Sequence, residues 1–319
     1  MPVLPTSHPD RAAATLANLP AVPAADLAAF ARPGDGAADS RIDQKLLQWR
    51  ALQAMATSAR SREHLATWAE DQHPDVWAGT VQDGVARGFK ARLEEAIALA
   101  SARTGAAPAS SDPLAKVTTG RELRKRKDLL VASGGARVRF TRKEGLLFVD
   151  RDAKLHSSNC LRFEARTDQG TLDAFVPAAD ERPRLYSAQF LQPQRYVETD
   201  AGQELVLAGR IGRGPVGWNV MAVLAGRSDA ATVHLRLRLD QRLCGWRLRA
   251  RFLGLPLAAI AHECTPVHET VANDAGGFVA FTLVRAVDRL LVDGTLVPTP
   301  AAACLGALEH TFHLGATAG

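Results

Sequence analysis

Hydrophobic residues change their spacing part-way along the chain. Between residues 40 and 104 they recur every three or four positions, which is the repeat of an amphipathic helix. One stretch contains Ile42, Leu46, Trp49, Leu52 and Met55, and a later one contains Trp77, Val81, Val85, Phe89, Leu93 and Ile97. A shorter helix fits between them, after Ser61. The pattern predicts a small antiparallel helical bundle over residues 41–104.

Beyond residue 120 the apolar positions lie in short runs with a repeat close to two, separated by Gly, Asp, Asn and Pro. Such runs are typical of antiparallel strands. We therefore predict an α+β protein in which the helical bundle precedes an antiparallel β-sandwich over residues 121–319. Residues 105–120 are predicted to be a linker, and the Ala- and Pro-rich residues 1–40 a partly ordered leader.

Composition narrows the class of protein. Hydrophobic residues make up 46% and charged residues 23% of the 319 residues, as in soluble globular proteins. The sequence has no apolar run of about 18 residues and no recognisable signal peptide, which predicts a cytoplasmic protein that does not bind a membrane. The four cysteines show no CxxC spacing, so we expect free thiols and no disulfides.

Basic residues are concentrated in the second part of the chain. Residues 1–115 contain 11 basic and 13 acidic residues, whereas residues 116–319 contain 28 and 21. This imbalance favours anionic partners. A basic run at residues 121–127 has no aromatic platform and no nucleic-acid-binding motif around it, so nucleic acid is not expected as a partner.

Two candidate strands carry arginine at alternating positions. The arginines are Arg236 and Arg238 in the first strand and Arg247, Arg249 and Arg251 in the second. A turn at Cys244 and Gly245 would make the strands a hairpin, and all five guanidinium groups would then share one face. Such a face binds carboxylate, sulfate or phosphate groups. Alternatively, it is a solvated polar face whose charges pair with acidic residues of neighbouring strands.

His262, Cys264 and His268 lie close together in the sequence and are residue types that bind zinc. On a strand, His262 and Cys264 would face the same way, with His268 approaching from the following turn. Their spacing matches no standard zinc site. We therefore predict no cofactor, because polar residues at a junction of strand and turn explain the cluster, and keep a zinc site as the alternative.

Two further sets of residues have chemistry suited to sugars. Glu198 and Asp200 are a pair of carboxylates of the kind that glycoside hydrolysis requires. Trp218 lies beside a glycine-rich loop, where its ring and that of Tyr196 would stack on the apolar face of a sugar. The alternative for Trp218 is a buried position in the core of the sandwich.

The last part of the chain has a distinctive order of segments. Residues 277–286 read as a core strand with the single internal Arg285, residues 297–306 as a turn bracketed by prolines, and the residues around Phe312 as a final strand. Together with the arginine-rich run from Trp246, this order resembles the carboxyl end of bacterial family 38 glycoside hydrolases, which include α-mannosidases and mannosylglycerate hydrolases. The resemblance covers residues 246–315. It extends more loosely upstream, because these enzymes place a small helical bundle between a catalytic barrel and a β-sandwich.

The resemblance implies an ancestry among sugar-processing enzymes. The zinc-binding His and Asp residues of the family and its nucleophilic Asp lie in the barrel, and no matching motif occurs in this sequence. We therefore expect a non-catalytic protein that binds a carbohydrate or supports a glycosidase subunit. One alternative is a glycoside hydrolase with a site on the sandwich at Glu198 and Asp200, and another is an anion-binding module that uses the arginine face.

Overall fold

A computed structural model describes residues 41–57, 80–104, 116–134, 136–149, 155–255, 259–262, 268–271 and 277–315. Helices come first and sheets follow, and every strand pairing within these ranges is antiparallel. No helix in this part of the chain is long and apolar enough to cross a membrane.

Two helices precede the sheets. Helix α1 spans Ile42–Thr57 and helix α2 spans Asp83–Thr104. They pack on each other through Ala51, Phe89 and Leu93, none of which has exposed surface. Phe89 and Leu93 belong to the predicted apolar stripe of α2, whereas Ala51 is not among the residues that predicted α1.

The apolar stripe of α2 is narrower than the sequence pattern indicates. Val85 belongs to the predicted stripe but is 43% exposed. The helix expected after Ser61 and the residue Trp77 lie outside the described residues. A short third helix, α3, spans Gly120–Lys125.

The larger sheet has seven strands. In spatial order they are β1 (Lys116–Thr119), β8 (Gln192–Thr199), β9 (Gly202–Arg213), β10 (Val216–Arg227), β11 (Thr232–Gln241), β18 (Gly306–Gly315) and β13 (Ile260–His262). The four residues of β1 fall within the predicted linker, where they form an edge strand beside β8. The last strand in chain order, β18, lies in the interior of the sheet.

A five-stranded sheet packs against the seven-stranded sheet. In spatial order its strands are β14 (His268–Val271), β15 (Phe278–Ala286), β12 (Trp246–Leu253), β6 (Leu161–Thr167) and β7 (Arg184–Ser187). Phe312 of β18 bridges the two inner faces, with ring centroids 5.1 Å from Phe252 and 5.3 Å from Phe281. The predicted α+β class, with helices before a β-sandwich, is confirmed.

Two smaller sheets complete the structure. One contains β2 (Asp128–Ala132), β3 (Arg137–Thr141), β4 (Gly145–Val149) and β5 (Leu155–Ser157), and the other is the hairpin of β16 (Arg289–Val292) and β17 (Thr295–Pro298). The four-stranded sheet lies close against β10, since a Cβ atom at Gly226 would lie 2.2 Å from the carbonyl oxygen of Ala132. Only glycine permits that approach.

Candidate functional site

Trp218 and Tyr196 both lie inside the molecule. Trp218 has no exposed surface, and its indole N–H donates a hydrogen bond to Oε1 of Gln241 at 2.7 Å. Tyr196 is 4% exposed and donates from its hydroxyl to the carbonyl oxygen of Leu130 at 2.8 Å. Burial is also the main cause that raises the pKa of the Tyr196 phenol above its ordinary value. Contrary to the prediction, neither ring is available to stack on a sugar; Trp218 takes the core position given as its alternative.

The five predicted arginines lie in two different sheets. Strand β11 pairs with β10 and β18, whereas β12 pairs with β6 and β15. Arg236 and Arg238 therefore lie on the outer face of the seven-stranded sheet, and Arg247, Arg249 and Arg251 on the outer face of the five-stranded sheet. The predicted single face of five arginines is wrong, because the chain crosses between sheets after β11 and forms no hairpin there.

Glu164 of β6 neutralises two of the arginines of β12. Its Oε1 accepts a hydrogen bond from Nε of Arg249, and its Oε2 accepts one from Nη1 of Arg251, both at 3.0 Å. Glu164 and Arg249 are almost completely buried. The guanidinium carbon of Arg251 also lies 3.4 Å from the ring centroid of Phe278, a cation–π contact. These arginines have partners within the protein, as the alternative of a paired polar face predicts.

Strand β6 adds two arginines that the sequence argument missed. Arg162 is directly opposite Arg251, and Arg166 is directly opposite Arg247, whose guanidinium carbon lies 3.4 Å from the ring centroid of Phe175. The signal that could have identified them is the alternation of polar and apolar residues along β6, which is the same signal that marks β11 and β12. Sequence alone did not show that β6 is the neighbour of β12.

A shallow groove of about 560 Å³ crosses the outer face of the seven-stranded sheet. Its polar side is formed by Asn219 of β10, which is directly opposite Asp240 of β11. Its apolar floor includes Met221, directly opposite Arg238, and Ala307 of β18. The groove arises from antiparallel register, because directly opposite residues project on the same face of a sheet.

The groove holds a carboxylate that remains charged. Oδ2 of Asp240 lies 2.5 Å from Nη2 of Arg242, and this hydrogen bond is the main cause that lowers the pKa of Asp240 below its ordinary value. A hydrogen bond with Asn219 and the charge of Arg238 lower it further. The groove therefore presents a carboxylate, an amide and a guanidinium group beside a methionine side chain.

Arg236 and Arg238 differ from the arginines of β12 in their surroundings. Both are exposed, and within the described residues neither forms an ion pair. Arg238 is directly opposite Glu309 of β18, and Arg236 is directly opposite Thr311. Of the five predicted arginines, these two are exposed to solvent on a face that also has a groove.

Glu198 and Asp200 are both exposed at the end of β8 and in the turn that leads to β9. The charge of Glu198 raises the pKa of Tyr196. Neither carboxylate lines the outer-face groove or the cavity between α1 and α2. In the described part of the chain, the two carboxylates are therefore exposed surface residues outside both cavities.

The cavity between α1 and α2 has a volume of about 290 Å³ and is lined by charged side chains. Nη2 of Arg41 donates to Oδ1 of Asp83 at 2.8 Å, and Nζ of Lys90 donates to Oδ2 of Asp43 at 2.6 Å. The other oxygen of Asp83 accepts a hydrogen bond from the backbone N–H of Ala301 at 3.0 Å. These contacts pair the charges with one another and connect the helices to the sandwich.

Of the three predicted metal-binding residues, His262 ends β13, His268 begins β14 and Cys264 lies outside the described residues. Nε2 of His262 lies 3.3 Å from Nδ1 of His310 in β18. Burial is the main cause that lowers the pKa of His310 to about 3, and the neighbouring His262 lowers it further. Within the described ranges, no group of three or more His, Cys, Asp or Glu side chains is arranged to hold a metal ion.

Cys160, Cys244 and Cys304 are free thiols, as expected. Burial raises the pKa of Cys160 to about 12, so its thiol is not reactive. Cys244 is exposed and lies in the segment where the chain crosses between the two sheets.

The fold is similar to part of known glycoside hydrolases. An α-mannosidase from Enterococcus faecalis V583 matches with a TM-score of 0.57 and 12% identity over 90% of this chain and 55% of the mannosidase. A protein of glycosyl hydrolase family 38 from Enterococcus faecalis matches with a TM-score of 0.58 and 11% identity over 90% of this chain and 57% of that protein. This chain thus spans little more than half the length of either relative.

No family model matches the sequence, and no curated protein is similar to it. At 11–12% identity the similarity to the two solved structures is one of fold. The resemblance to family 38 enzymes that the sequence indicated is confirmed at that level, over 90% of this chain.

Proposed function

We propose that this chain is a non-catalytic, glycosidase-associated domain that binds carbohydrate in the groove on the outer face of the seven-stranded sheet. The observation that carries the proposal is the juxtaposition of Asn219, Arg238 and Asp240 beside Met221 in that groove. The fold that the chain shares with part of an α-mannosidase supports the choice of a sugar ligand. Mannose-containing glycans are therefore the first ligands to test.

The chemistry of the groove suits a sugar. Neighbouring hydroxyl groups of a pyranose both donate and accept hydrogen bonds, and a carboxylate, an amide and a guanidinium group supply acceptors and donors for them. The C–H groups of the ring need an apolar surface, which Met221 and Ala307 provide. An open groove on a sheet leaves the ends of a glycan free, so it accepts a chain longer than one sugar.

The test is binding of the purified full chain to a broad glycan array at low and at high salt, together with N219A and R238A variants. Loss of a hydrogen bond from the charged Arg238 costs about 1.5–3 kcal/mol, so we expect roughly tenfold or greater loss of affinity in R238A. Loss of a hydrogen bond from the neutral amide of Asn219 costs about 0.5–1.5 kcal/mol, so we expect a loss of roughly two- to tenfold in N219A. T311A is the matched control, because Thr311 lies on the same face but outside the groove. An array that binds no neutral glycan, or binding that N219A and R238A leave unchanged, contradicts the proposal.

The second candidate function is binding of anionic groups by Arg236 and Arg238. The favouring observation is that both guanidinium groups are exposed and form no ion pair within the described part of the chain. Binding that is confined to acidic glycans and that weakens steeply with salt would favour this function over recognition of neutral sugars. In that case R236A, which leaves the groove intact, should weaken binding as much as R238A.

The proposed partner is a glycosidase catalytic domain, because both similar solved structures are longer than this chain, one being an α-mannosidase and the other a protein of glycosyl hydrolase family 38. On this proposal the purified chain releases no sugar from α-mannosides, and its contribution is to hold a glycan near a catalytic domain. Hydrolysis by the pure chain that is abolished in E198A or D200A would overturn it and establish the hydrolase alternative.

A further inference from the structure

His262 and His310 form a pair at the edge of the sandwich, apart from the groove. They come from the adjacent strands β13 and β18, and Phe312 of β18 is directly opposite His262. Ring contacts with Phe281 and Phe312 hold His262, at centroid distances of 5.7 Å and 4.4 Å. His310 is 1% exposed, whereas His262 is half-buried. The pair is thus rigid on one side and accessible on the other.

The carbonyl oxygen of Leu283 determines which nitrogen of His310 has the hydrogen. Nε2 of His310 lies 2.8 Å from this oxygen, which can only accept a hydrogen bond, so Nε2 is the protonated nitrogen. The lone pair of a neutral His310 is therefore on Nδ1, which faces His262. A histidine that binds a metal through one nitrogen commonly donates its other N–H to a backbone carbonyl in this way.

The distance between the two facing nitrogens matches a metal-binding pair. Two nitrogens that each lie 2.0–2.1 Å from a tetrahedral zinc ion are about 3.3–3.4 Å apart. Nε2 of His262 and Nδ1 of His310 are 3.3 Å apart, which is long for a hydrogen bond between nitrogens. We propose that Nε2 of His262 and Nδ1 of His310 bind a divalent transition-metal ion that prefers imidazole ligands, with zinc as the first ion to test.

Binding requires a change of tautomer at His262. The hydrogen that Nε2 of His262 shares with His310 moves to Nδ1 of His262, so both imidazoles stay neutral and each supplies one lone pair. Solvent or a third side chain occupies the remaining positions of the ion. This metal site does not depend on the proposed sugar groove.

The test is titration of the full-length chain, after treatment with a chelator, with Zn²⁺ by calorimetry and with Co²⁺ by visible absorption. We expect one ion per chain, and the absorption bands of tetrahedral Co²⁺ as the sign of its geometry. Replacing the accessible ligand in H262Q should lower the affinity by roughly 100-fold or more, since loss even of a residue that orients a ligand costs 10–100-fold. H262Q is the main variant because His310 is buried and H310Q is the substitution that endangers folding.

His234 and His313 provide a matched control. They are directly opposite each other on β11 and β18, with ring centroids 4.4 Å apart, and both lie on the outer face. H313Q should leave the stoichiometry and affinity at His262 unchanged. The proposal is overturned if the chain binds neither ion, if H262Q binds as the parent chain does, or if H313Q rather than H262Q abolishes binding.

Discussion

Strands β11 and β12 have nearly the same sequence pattern but lie in different surroundings. Both alternate arginine with apolar residues, and in both the apolar residues face the core. Arg236 and Arg238 of β11 remain in solvent, whereas Arg249 of β12 is 7% exposed and bonded to Glu164. The comparison teaches that alternation determines the face on which a side chain lies, while the neighbouring strand determines whether its charge is paired.

The difference begins in the segment between the two strands. Gly245 has a φ of +70°, a conformation that favours glycine, and its backbone N–H donates to the carbonyl oxygen of Ala286 in β15 at 2.7 Å. Its own carbonyl oxygen accepts from the backbone N–H of Asp168 at 2.8 Å. The chain is therefore bound to the five-stranded sheet as soon as it leaves β11.

The largest expected loss of stability follows from breaking the buried ion pair of Arg285 and Asp168. Nε of Arg285 lies 2.7 Å from Oδ2 of Asp168, and neither side chain has exposed surface. Arg285 also donates to the carbonyl oxygens of Thr171 and Leu172. R285L leaves a buried, unpaired carboxylate and should lower the free energy of unfolding by about 3–5 kcal/mol, measured by urea denaturation. If R285L lowered the free energy of unfolding by less than about 1 kcal/mol, water would have to reach the carboxylate of Asp168, contrary to its burial.

Removing the charge of Glu164 should have the next largest effect. E164Q keeps the shape of the side chain but removes the carboxylate charge to which Arg249 and Arg251 both donate. We expect a loss of about 2–3 kcal/mol in the free energy of unfolding. E309Q, next to the exposed Arg238, is the control and should change stability by less than about 0.5 kcal/mol. Equal effects of the two variants would contradict the difference between the two faces.

The third expected loss of stability, smaller than the first two, is that of replacing Trp218 by phenylalanine. W218F keeps an aromatic ring in the core but removes the N–H that donates to Gln241, so the amide oxygen loses a buried partner. We expect a loss of about 1–3 kcal/mol in stability with no change in glycan affinity, because the residue lies beneath the groove and not in it. A thermal melt and the glycan titration measure the two quantities on one sample. If W218F lost glycan binding but kept its stability, Trp218 would have to contact the glycan.

The smallest effect on stability is expected for the arginines of β11. R236A and R238A should each leave the free energy of unfolding within about 0.5 kcal/mol of the parent value, because their guanidinium groups are solvated. The same substitution in β12, R249A, should cost several times more, since it leaves Glu164 buried with one partner fewer. Chemical denaturation of the three variants side by side tests the comparison directly.

The sequence predicted those features of the fold that depend on local repeats. The positions of Ile42 and Phe89 predicted two helices, and the two-residue repeat of Leu235, Leu237 and Leu239 predicted a strand with one buried face. The sequence also allowed a core position for Trp218. A single tryptophan beside a glycine-rich loop has no periodicity, however, so the sequence could not distinguish this core position from a sugar-stacking one.

The features that sequence could not predict depend on which strands become neighbours. Arg162 and Arg166 join the arginines of β12 because β6 pairs with β12, although β6 begins at Leu161 and β12 only at Trp246. The groove likewise needs Asn219 and Asp240 in register across β10 and β11. Short-range repeats contain no information about such pairings. For the same reason, the contact between His262 and His310 could not be predicted from the sequence and is seen only in the folded chain.

The position of β18 has a consequence for how the protein is made. This strand is the last of the described strands to be synthesised, yet it lies between β11 and β13, and its Phe312 contacts both Phe252 and Phe281. Until residues 306–315 leave the ribosome, β11 has an open edge and the inner faces of the sandwich lack a central side chain. Open edges and exposed apolar faces favour aggregation. The nascent chain therefore exposes an aggregation-prone edge and inner face until β18 has left the ribosome.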